Sequence, residues 1–319
     1  MAFADMPLEE LKKYNGSSPC PDDFDAFWDR SLEEMNSIDP QPTYIPHEFS
    51  SKIADCYDLY FKSTKGATIY AKFARPKNAE GRLPTILHFH GLGGSGECWR
   101  NLIPYVSQGY CIATMDVRGQ GGLSEDVGGQ KGTTQCAPFI RGVEGEPENL
   151  LYRDIFLDTA MLYRVLTMRD DVDPSRVGVF GGSQGGGLSL ACAALVPEIK
   201  LCAPDFPYLS DYKRVWDMGL AVGAYDAITY YFRLKDPRHE REDEFFYKLG
   251  YIDVQNLAHR IRARVHMSTG LMDTTCPPST QFAAYNKITS EKEVVIYPDF
   301  GHENLFTNED IVFSFLSEL

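Results

Sequence analysis

The hydrophobic positions of this chain fall into short blocks whose period changes along the sequence. Within residues 24–35, Phe24, Phe27, Trp28, Leu32 and Met35 recur three or four residues apart, which lines one face of an amphipathic helix. A proline-bearing stretch follows (Asp39-Pro40-Gln41-Pro42 and Pro46), then two strand-like runs at 56–62 and 68–75 around Ser63-Thr64-Lys65-Gly66. Two such runs with a short turn between them predict an antiparallel hairpin. From Leu83 onward, apolar runs at 85–89, 111–115 and 177–180 alternate with helical patterns at 99–107, 151–167 and 184–195. The pattern resumes at 265–269, 282–288, 294–297 and 311–319. Strands alternating with helices of this length predict βαβ units, hence an α/β fold with a mostly parallel, doubly wound sheet covered on both faces.

Residues 208–258 interrupt the alternation. They are aromatic and charged, with helical stretches and no clear strand. This segment reads as a helical insertion over the active edge of the sheet. No internal repeat or low-complexity stretch appears, so the expectation is a single domain over 1–319. It carries a helical and hairpin extension at the N-terminus (1–50) and a cap at about 208–258.

Composition narrows the classes of function. A chain of 319 residues with 43% hydrophobic content can bury one large core. No run approaches the roughly 18 consecutive apolar residues of a membrane-spanning helix. The first residues carry Asp5, Glu9 and Glu10 and lack the basic-then-apolar order of a signal peptide, which predicts a cytoplasmic protein without membrane contact. With 31 basic against 45 acidic residues the formal charge is −14, so a nucleic-acid partner is disfavoured by repulsion. Eight cysteines, at 20, 56, 98, 111, 136, 192, 202 and 276, include no CxxC pair, which argues against a structural zinc site or a dithiol redox motif. Free thiols in a reducing compartment fit this usage, and Cys111, Cys192 and Cys202 lie in apolar runs as small hydrophobes.

The chemistry concentrates after the strand at 177–180. There Gly181-Gly182-Ser183-Gln184-Gly185 leads directly into an apolar helix. A strand, Gly-x-Ser-x-Gly and a helix in that order make a nucleophile elbow. The glycines let backbone and helix approach without Cβ atoms, and Ser183 stands exposed at the strand's carboxyl end. The helix N-terminus offers N–H groups to a developing oxyanion. The bland alternative is a glycine-rich turn that binds phosphate.

A serine hydroxyl needs a base, and in this arrangement acid and histidine follow the nucleophile in that order. Four histidines lie after Ser183. His239 and His259 sit in charged surroundings that read as surface, and His266 occupies a strand interior as a core histidine. His302 follows the apolar run 294–297 and the loop Pro298-Asp299-Phe300-Gly301, at the sheet edge where catalytic loops gather. Asp273 lies just past the strand at 265–269 and before a helix opening near Ser279, placed to fix the imidazole tautomer. Its alternative role is a helix cap, and Asp299 is a competitor too close to His302 in sequence.

The second oxyanion donor is expected from His90-Gly91-Leu92-Gly93-Gly94, whose Leu92 N–H would join that of Gln184. His88 and His90 alternate onto one face, yet no third ligand stands at metal-site spacing, and no cofactor motif is present. Arg118, in Asp116-Val117-Arg118-Gly119-Gln120, reads as tying loops together rather than touching substrate.

With these motifs assembled, the chain resembles carbohydrate esterase family 7, the acetyl xylan esterases and cephalosporin C deacetylases of the α/β-hydrolase superfamily. Arg118-Gly119-Gln120, Gly181-Gly182-Ser183-Gln184-Gly185 and His302-Glu303 carry the resemblance, in that order. It extends over the whole chain, including Phe27-Trp28, Ala74-Arg75-Pro76 and the Pro277-Pro278 pair. The resemblance implies a serine esterase acting on small acetylated substrates, with Ser183, Asp273 and His302 as triad and Arg118 and Gln120 positioning loops. It also implies a homo-oligomer, a hexamer with active sites facing an internal cavity. The family usually has tyrosine where this chain has Leu92, so a broader acyl preference is expected. A carboxylesterase for longer acyl groups and a prolyl-peptidase-like hydrolase are the competing readings; a binding module without catalysis fits less well, because all three triad positions stand in good contexts. The aromatics of the insertion (Tyr208, Tyr212, Trp216, Tyr225, Tyr230, Tyr231 and Phe232) are expected to wall a narrow acyl pocket and to contribute to an oligomer contact.

Overall fold

A nine-stranded sheet runs through the computed structural model, which describes residues 4–128 and 137–319, so that Cys136 lies outside the described residues. The strands are β1 (Thr43–Pro46), β2 (Ala54–Lys62), β3 (Thr68–Pro76), β4 (Leu83–Phe89), β5 (Cys111–Met115), β6 (Val172–Gly182), β7 (Leu201–Asp205), β8 (Arg264–Gly270) and β9 (Lys292–Tyr297). They lie in the order β1-β2-β3-β5-β4-β6-β7-β8-β9. The first three strands pair antiparallel, and β3 joins β5 antiparallel. Every pairing from β5 through β9 is parallel. The hairpin, the parallel sheet and the doubly wound order are those expected from the alternation of periods.

Two helices, α1 (Leu8–Leu11) and α2 (Phe24–Ser37), precede the sheet, and α3 (Trp99–Ser107) joins β4 to β5. Further on, α4 (Leu151–Thr167) and α5 (Gln184–Leu195) flank β6. Between β7 and β8 come α6 (Tyr212–Asp217), α7 (Asp226–Leu234), α8 (Glu242–Leu249) and α9 (Val254–Leu257). Last are α10 (Pro278–Lys287) and α11 (Asn308–Leu316). One face of the sheet is covered by α3 and α11, whose Trp99, Leu102, Val106, Val312, Phe315 and Leu316 share a core with Ile86, Ile112 and Ala203. The opposite face is covered by α4, α5 and α10, and every residue of α5 is buried. The apolar face of α2 is buried as its spacing predicts: the Trp28 ring stacks 5.8 Å from Phe156 of α4, and its indole N–H donates to the Tyr251 carbonyl at 3.0 Å.

The structure departs from the sequence expectation in three places. β1 and β7 were not expected, because one is a four-residue edge strand ending at Pro46 and the other is five residues carrying Pro204. Proline lacks the ladder N–H and so masks short strands. The aromatic density of the insertion is a correction. Tyr208, Tyr212, Tyr225, Tyr231 and Phe232 are buried, and Phe139 stacks on Tyr212 at 5.1 Å between ring centroids. These rings belong to the main hydrophobic core rather than to the wall of an acyl pocket, and Tyr230 alone among the seven is exposed. A fold without strands in this segment has to bury its helices on something, and large rings do so with few residues.

The N-terminal extension straps the insertion down. The carboxylate of Asp211, itself buried, accepts the Tyr14 hydroxyl at 2.8 Å and the N–H groups of Ser17 and Ser18 at 3.0 and 2.8 Å. Asp5 accepts from Arg214 at 2.9 Å and from the Ser279 N–H at 2.8 Å, so the same strap reaches the start of α10. Among the described residues no helix is long and apolar enough to cross a membrane.

Candidate active site

The carboxyl ends of β6, β8 and β9 in the parallel sheet converge on one point. At the end of β6, Ser183 adopts φ +56° and ψ −118°, a conformation that a non-glycine residue accepts only when its surroundings enforce it. The enforcement is visible in the flanking glycines. A Cβ on Gly185 would stand 1.9 Å from the Phe89 carbonyl oxygen, and one on Gly181 would stand 2.4 Å from the same atom. The elbow is therefore pressed against the end of β4, and Ser183 is pushed up between β6 and α5. Its N–H donates to the Asp205 carbonyl at 3.0 Å and its carbonyl accepts from the Tyr208 N–H at 2.9 Å, which pins both ends of the turn.

The Ser183 hydroxyl donates to His302 Nε2 at 2.9 Å, and His302 Nδ1–H donates to Asp273 Oδ2 at 2.8 Å. Asp273 is fully buried, while the His302 side chain keeps 22% of its surface exposed. The other Asp273 oxygen, Oδ1, accepts the N–H groups of Thr275 and Cys276, each at 2.8 Å. One carboxylate thus holds its own turn through one oxygen and orients the imidazole through the other; it does not cap α10, whose N-cap is Pro277 with no side-chain bond. Behind His302, the Phe206 ring meets the imidazole edge-on at 5.0 Å.

The loop after β4 is organised by side chains around it. His90 Nδ1–H donates to the Gly91 carbonyl at 2.7 Å, and Nε2 accepts the Val117 N–H at 2.9 Å. Both ring nitrogens are engaged, and burial lowers the His90 pKa, so this histidine is a neutral brace rather than half of a metal pair. Burial also pushes His88 down, to about 4, and its Nδ1 meets the Thr114 hydroxyl at 2.8 Å. Gln120 accepts the Gly93 N–H at 2.8 Å and donates to Gln184 Oε1 at 2.8 Å, where the Tyr152 hydroxyl also donates at 2.6 Å. This net links the loop carrying Leu92 to the first residue of α5. Among the described residues, the N–H groups of Leu92 and Gln184 have no protein acceptor.

Arg118 lies in the loop after β5. It is 1% exposed and donates from Nε and Nη2 to both oxygens of Asp158 on α4, at 2.7 and 2.6 Å. It also reaches the Thr64 hydroxyl at 3.1 Å, and Ser63 donates to Asp158 at 2.5 Å, so one buried pair joins the β2–β3 turn, the loop after β5 and α4. The remaining histidines stay apart: His239 beside Glu242, His259 beside Asp25, and His266 with Nδ1 on Glu293 at 2.9 Å. Asp299 is exposed.

Sequence reasoning missed three groups at the site. Asp205 at the end of β7 accepts from Asn308 Nδ2 at 2.8 Å, and Asn308 Oδ1 accepts the Ser268 hydroxyl at 2.6 Å, which ties the His302 loop to the elbow. Burial raises the Asp205 carboxyl to about 7. Tyr152 reaches the site from α4, a helix whose sequence carries no catalytic signal. Cys276 lies three residues after Asp273, a spacing that could have been noticed.

The acetyl xylan esterase (AXE1) family model matches residues 1–319. Acetyl esterase Axe7A of Xylanibacter ruminicola is 30% identical over 304 residues, covering 92% of this chain. The chain spans 65% of the length of that curated relative. Among solved structures, acetyl xylan esterase 1 from Thermoanaerobacterium sp. JW/SL YS485 is 52% identical with a TM-score of 0.96, covering 98% of this chain and 99% of its own. Acetyl xylan esterase from Paenibacillus sp. R4 is 35% identical with a TM-score of 0.93, at the same coverage of 98% and 99%.

Proposed function

The chain belongs to the acetyl xylan esterase family, and from that premise we propose that it is a serine esterase that removes acetyl groups from small acetylated xylan fragments. The observation that carries the proposal is the unbroken hydrogen-bond chain from Ser183 through His302 to the buried Asp273. In this reading His302 Nε2 takes the Ser183 proton as Oγ attacks the ester carbonyl. Asp273 holds the imidazole in the tautomer with Nδ1 protonated and stabilises the imidazolium. The acceptor-free N–H groups of Leu92 and Gln184 receive the carbonyl oxygen as it becomes negative, each such donor being worth roughly 10²–10³ in turnover. His302 then returns the proton to the departing sugar hydroxyl, leaving acetyl on Ser183. Water, activated by the same imidazole, releases acetate and restores the serine. No step calls for a metal or cofactor.

Leu92 is half-buried on the oxyanion loop and lacks a tyrosine ring, which supports an acyl range broader than acetyl alone. Acetate release from acetylated xylo-oligosaccharides and from cephalosporin C, together with a series of 4-nitrophenyl esters from acetyl to octanoyl, tests both points. Rates highest for acetyl and propionyl support the esterase reading. Preference for octanoyl, or cleavage of peptide amides at comparable rates, would move the protein to the carboxylesterase or peptidase alternative.

The assembly belongs to the same proposal. Val222, Tyr230 and Leu234 expose 65%, 47% and 69% of their surface on the insertion, an apolar patch that suits contact between copies in a hexamer. Light scattering well above the 35.9 kDa of one chain is the expected result, and a monomer would remove it. The described cysteines are all free, which supports the cytoplasm as the working compartment.

A further inference from the structure

The loop after β8 places a thiol against the triad that ester hydrolysis does not use. Cys276 is wholly buried, and its N–H is held by Asp273 Oδ1 at 2.8 Å, so its position is fixed by the same carboxylate that orients His302. Its sulfur, an Asp273 carboxylate oxygen and a His302 ring nitrogen all lie within 4.8 Å of one another, and the thiol borders the Ser183 side chain. We propose that Asp273, Cys276 and His302 form a binding site for thiophilic divalent cations such as Zn²⁺ or Cd²⁺, and that an ion bound there stops hydrolysis by drawing His302 away from Ser183.

The donor set is what such ions select: one thiolate, one imidazole and one carboxylate. Zinc takes sulfur at about 2.3 Å and nitrogen or oxygen at about 2.0–2.2 Å, so tetrahedral donors stand roughly 3.3–3.7 Å apart. Asp273 Oδ2 and His302 Nδ1, 2.8 Å apart, are already within that span, and the Cys276 sulfur, within 4.8 Å of both groups, needs only a small adjustment to reach it. Charge also balances. A dication with one thiolate and one carboxylate is neutral, which suits a buried position where uncompensated charge is costly. On binding, the S–H bond gives way to a metal–sulfur bond and that proton leaves to water; His302 meets the ion through the ring nitrogen that carries no proton, its one N–H proton staying on the other nitrogen, so nothing is oxidised or reduced. The ion reaches the site from the partly exposed His302 side, the same approach an ester would take. The other paired histidines offer less, because both nitrogens of His90 are already engaged.

The site itself does not depend on the esterase reading, but the inhibition does, so the test has two readouts. Cd²⁺ titrated into Ser183→Ala is followed by the ultraviolet absorbance of the cadmium–thiolate bond, and the same titration is run on Ser183→Ala/Cys276→Ala. The band is expected in the first protein and lost in the second; a band of equal size in both would place the ion on another thiol, such as the exposed Cys20 or Cys98, and overturn the proposal. In the second readout, ester hydrolysis is measured with and without Zn²⁺ for the unaltered enzyme, for Cys276→Ala and for Cys276→Ser. Each protein is compared with its own metal-free rate, and EDTA is added at the end. The half-inhibiting Zn²⁺ concentration should rise at least about tenfold in both variants, with recovery on chelation. Unchanged sensitivity in both would refute the role of Cys276. A protein without esterase activity leaves the cadmium titration to decide alone.

Discussion

Replacing Asp205 by asparagine tests the electrostatics of the wall behind the nucleophile. Asp205 accepts from Asn308 Nδ2, and burial, the largest cause, raises its carboxyl to about 7. An ordinary aspartate loses its proton near 3.9. Below about pH 4 both the folded and unfolded chains carry the proton, and the site costs nothing. As pH rises the unfolded chain deprotonates first, so folded-state stability falls until the folded group also ionises near 7. The full cost above that point is about 4 kcal/mol, and about 2–3 kcal/mol of it accrues between pH 5 and pH 8. Part of Asp205 reaches solvent, so these figures are upper values. Asparagine keeps an oxygen for Asn308 and carries no charge. Urea unfolding of both proteins at about pH 5 and about pH 8 should show Asp205→Asn gaining up to about 2–3 kcal/mol on the unaltered protein as pH rises, equivalent to several degrees in Tm. Asp253, which burial raises to about 6, is common to both and cancels in the difference. Stability curves that run parallel across this range would refute the reasoning.

Other perturbations separate the parts of the site. Asp273→Asn should lower kcat by about 10⁴ with the fold intact, because the Nδ1–H tautomer loses its acceptor; a variant within tenfold of the unaltered enzyme would contradict the assigned acid. Gly185→Ala puts a Cβ 1.9 Å from the Phe89 carbonyl and should cost about 1–3 kcal/mol or more in denaturant titration, whereas unchanged stability and activity would mean the elbow is looser than described. Gln120→Ala removes the acceptor of the Gly93 N–H and should reduce kcat by about 10² while KM changes little, since the Leu92 donor shifts only where it meets the developing oxyanion. An effect confined to KM would place Gln120 in substrate binding instead.

Much of this was legible in the chain because each feature leaves a local signature. The elbow needs Gly181 and Gly185 at fixed offsets from Ser183, and the base and acid follow apolar strands whose ends face the same edge. Arg118 was recognisable as a loop tie, but its partner Asp158 was not: it sits on α4 among apolar residues, and only packing turns that helix face toward the loop. Tyr152 and Asp205 were hidden for the same reason, since their roles come from residues 32 and 103 positions away. The strands β1 and β7 were obscured by proline and brevity. The insertion misled differently. Its aromatic density implied burial correctly, but composition does not say against what, and the rings pack into the main core, on one another and on Phe139.

The central claim is that Ser183 is the nucleophile of an acyl transfer. It is tested most directly by treating the protein with a fluorophosphonate and locating the adduct by peptide mass spectrometry while esterase activity is followed in parallel. One adduct per chain on Ser183, rising in step with the loss of 4-nitrophenyl acetate hydrolysis and nearly absent in His302→Ala, is the predicted result. Full labelling of Ser183 with activity retained, or activity lost through an adduct at another residue, would contradict it.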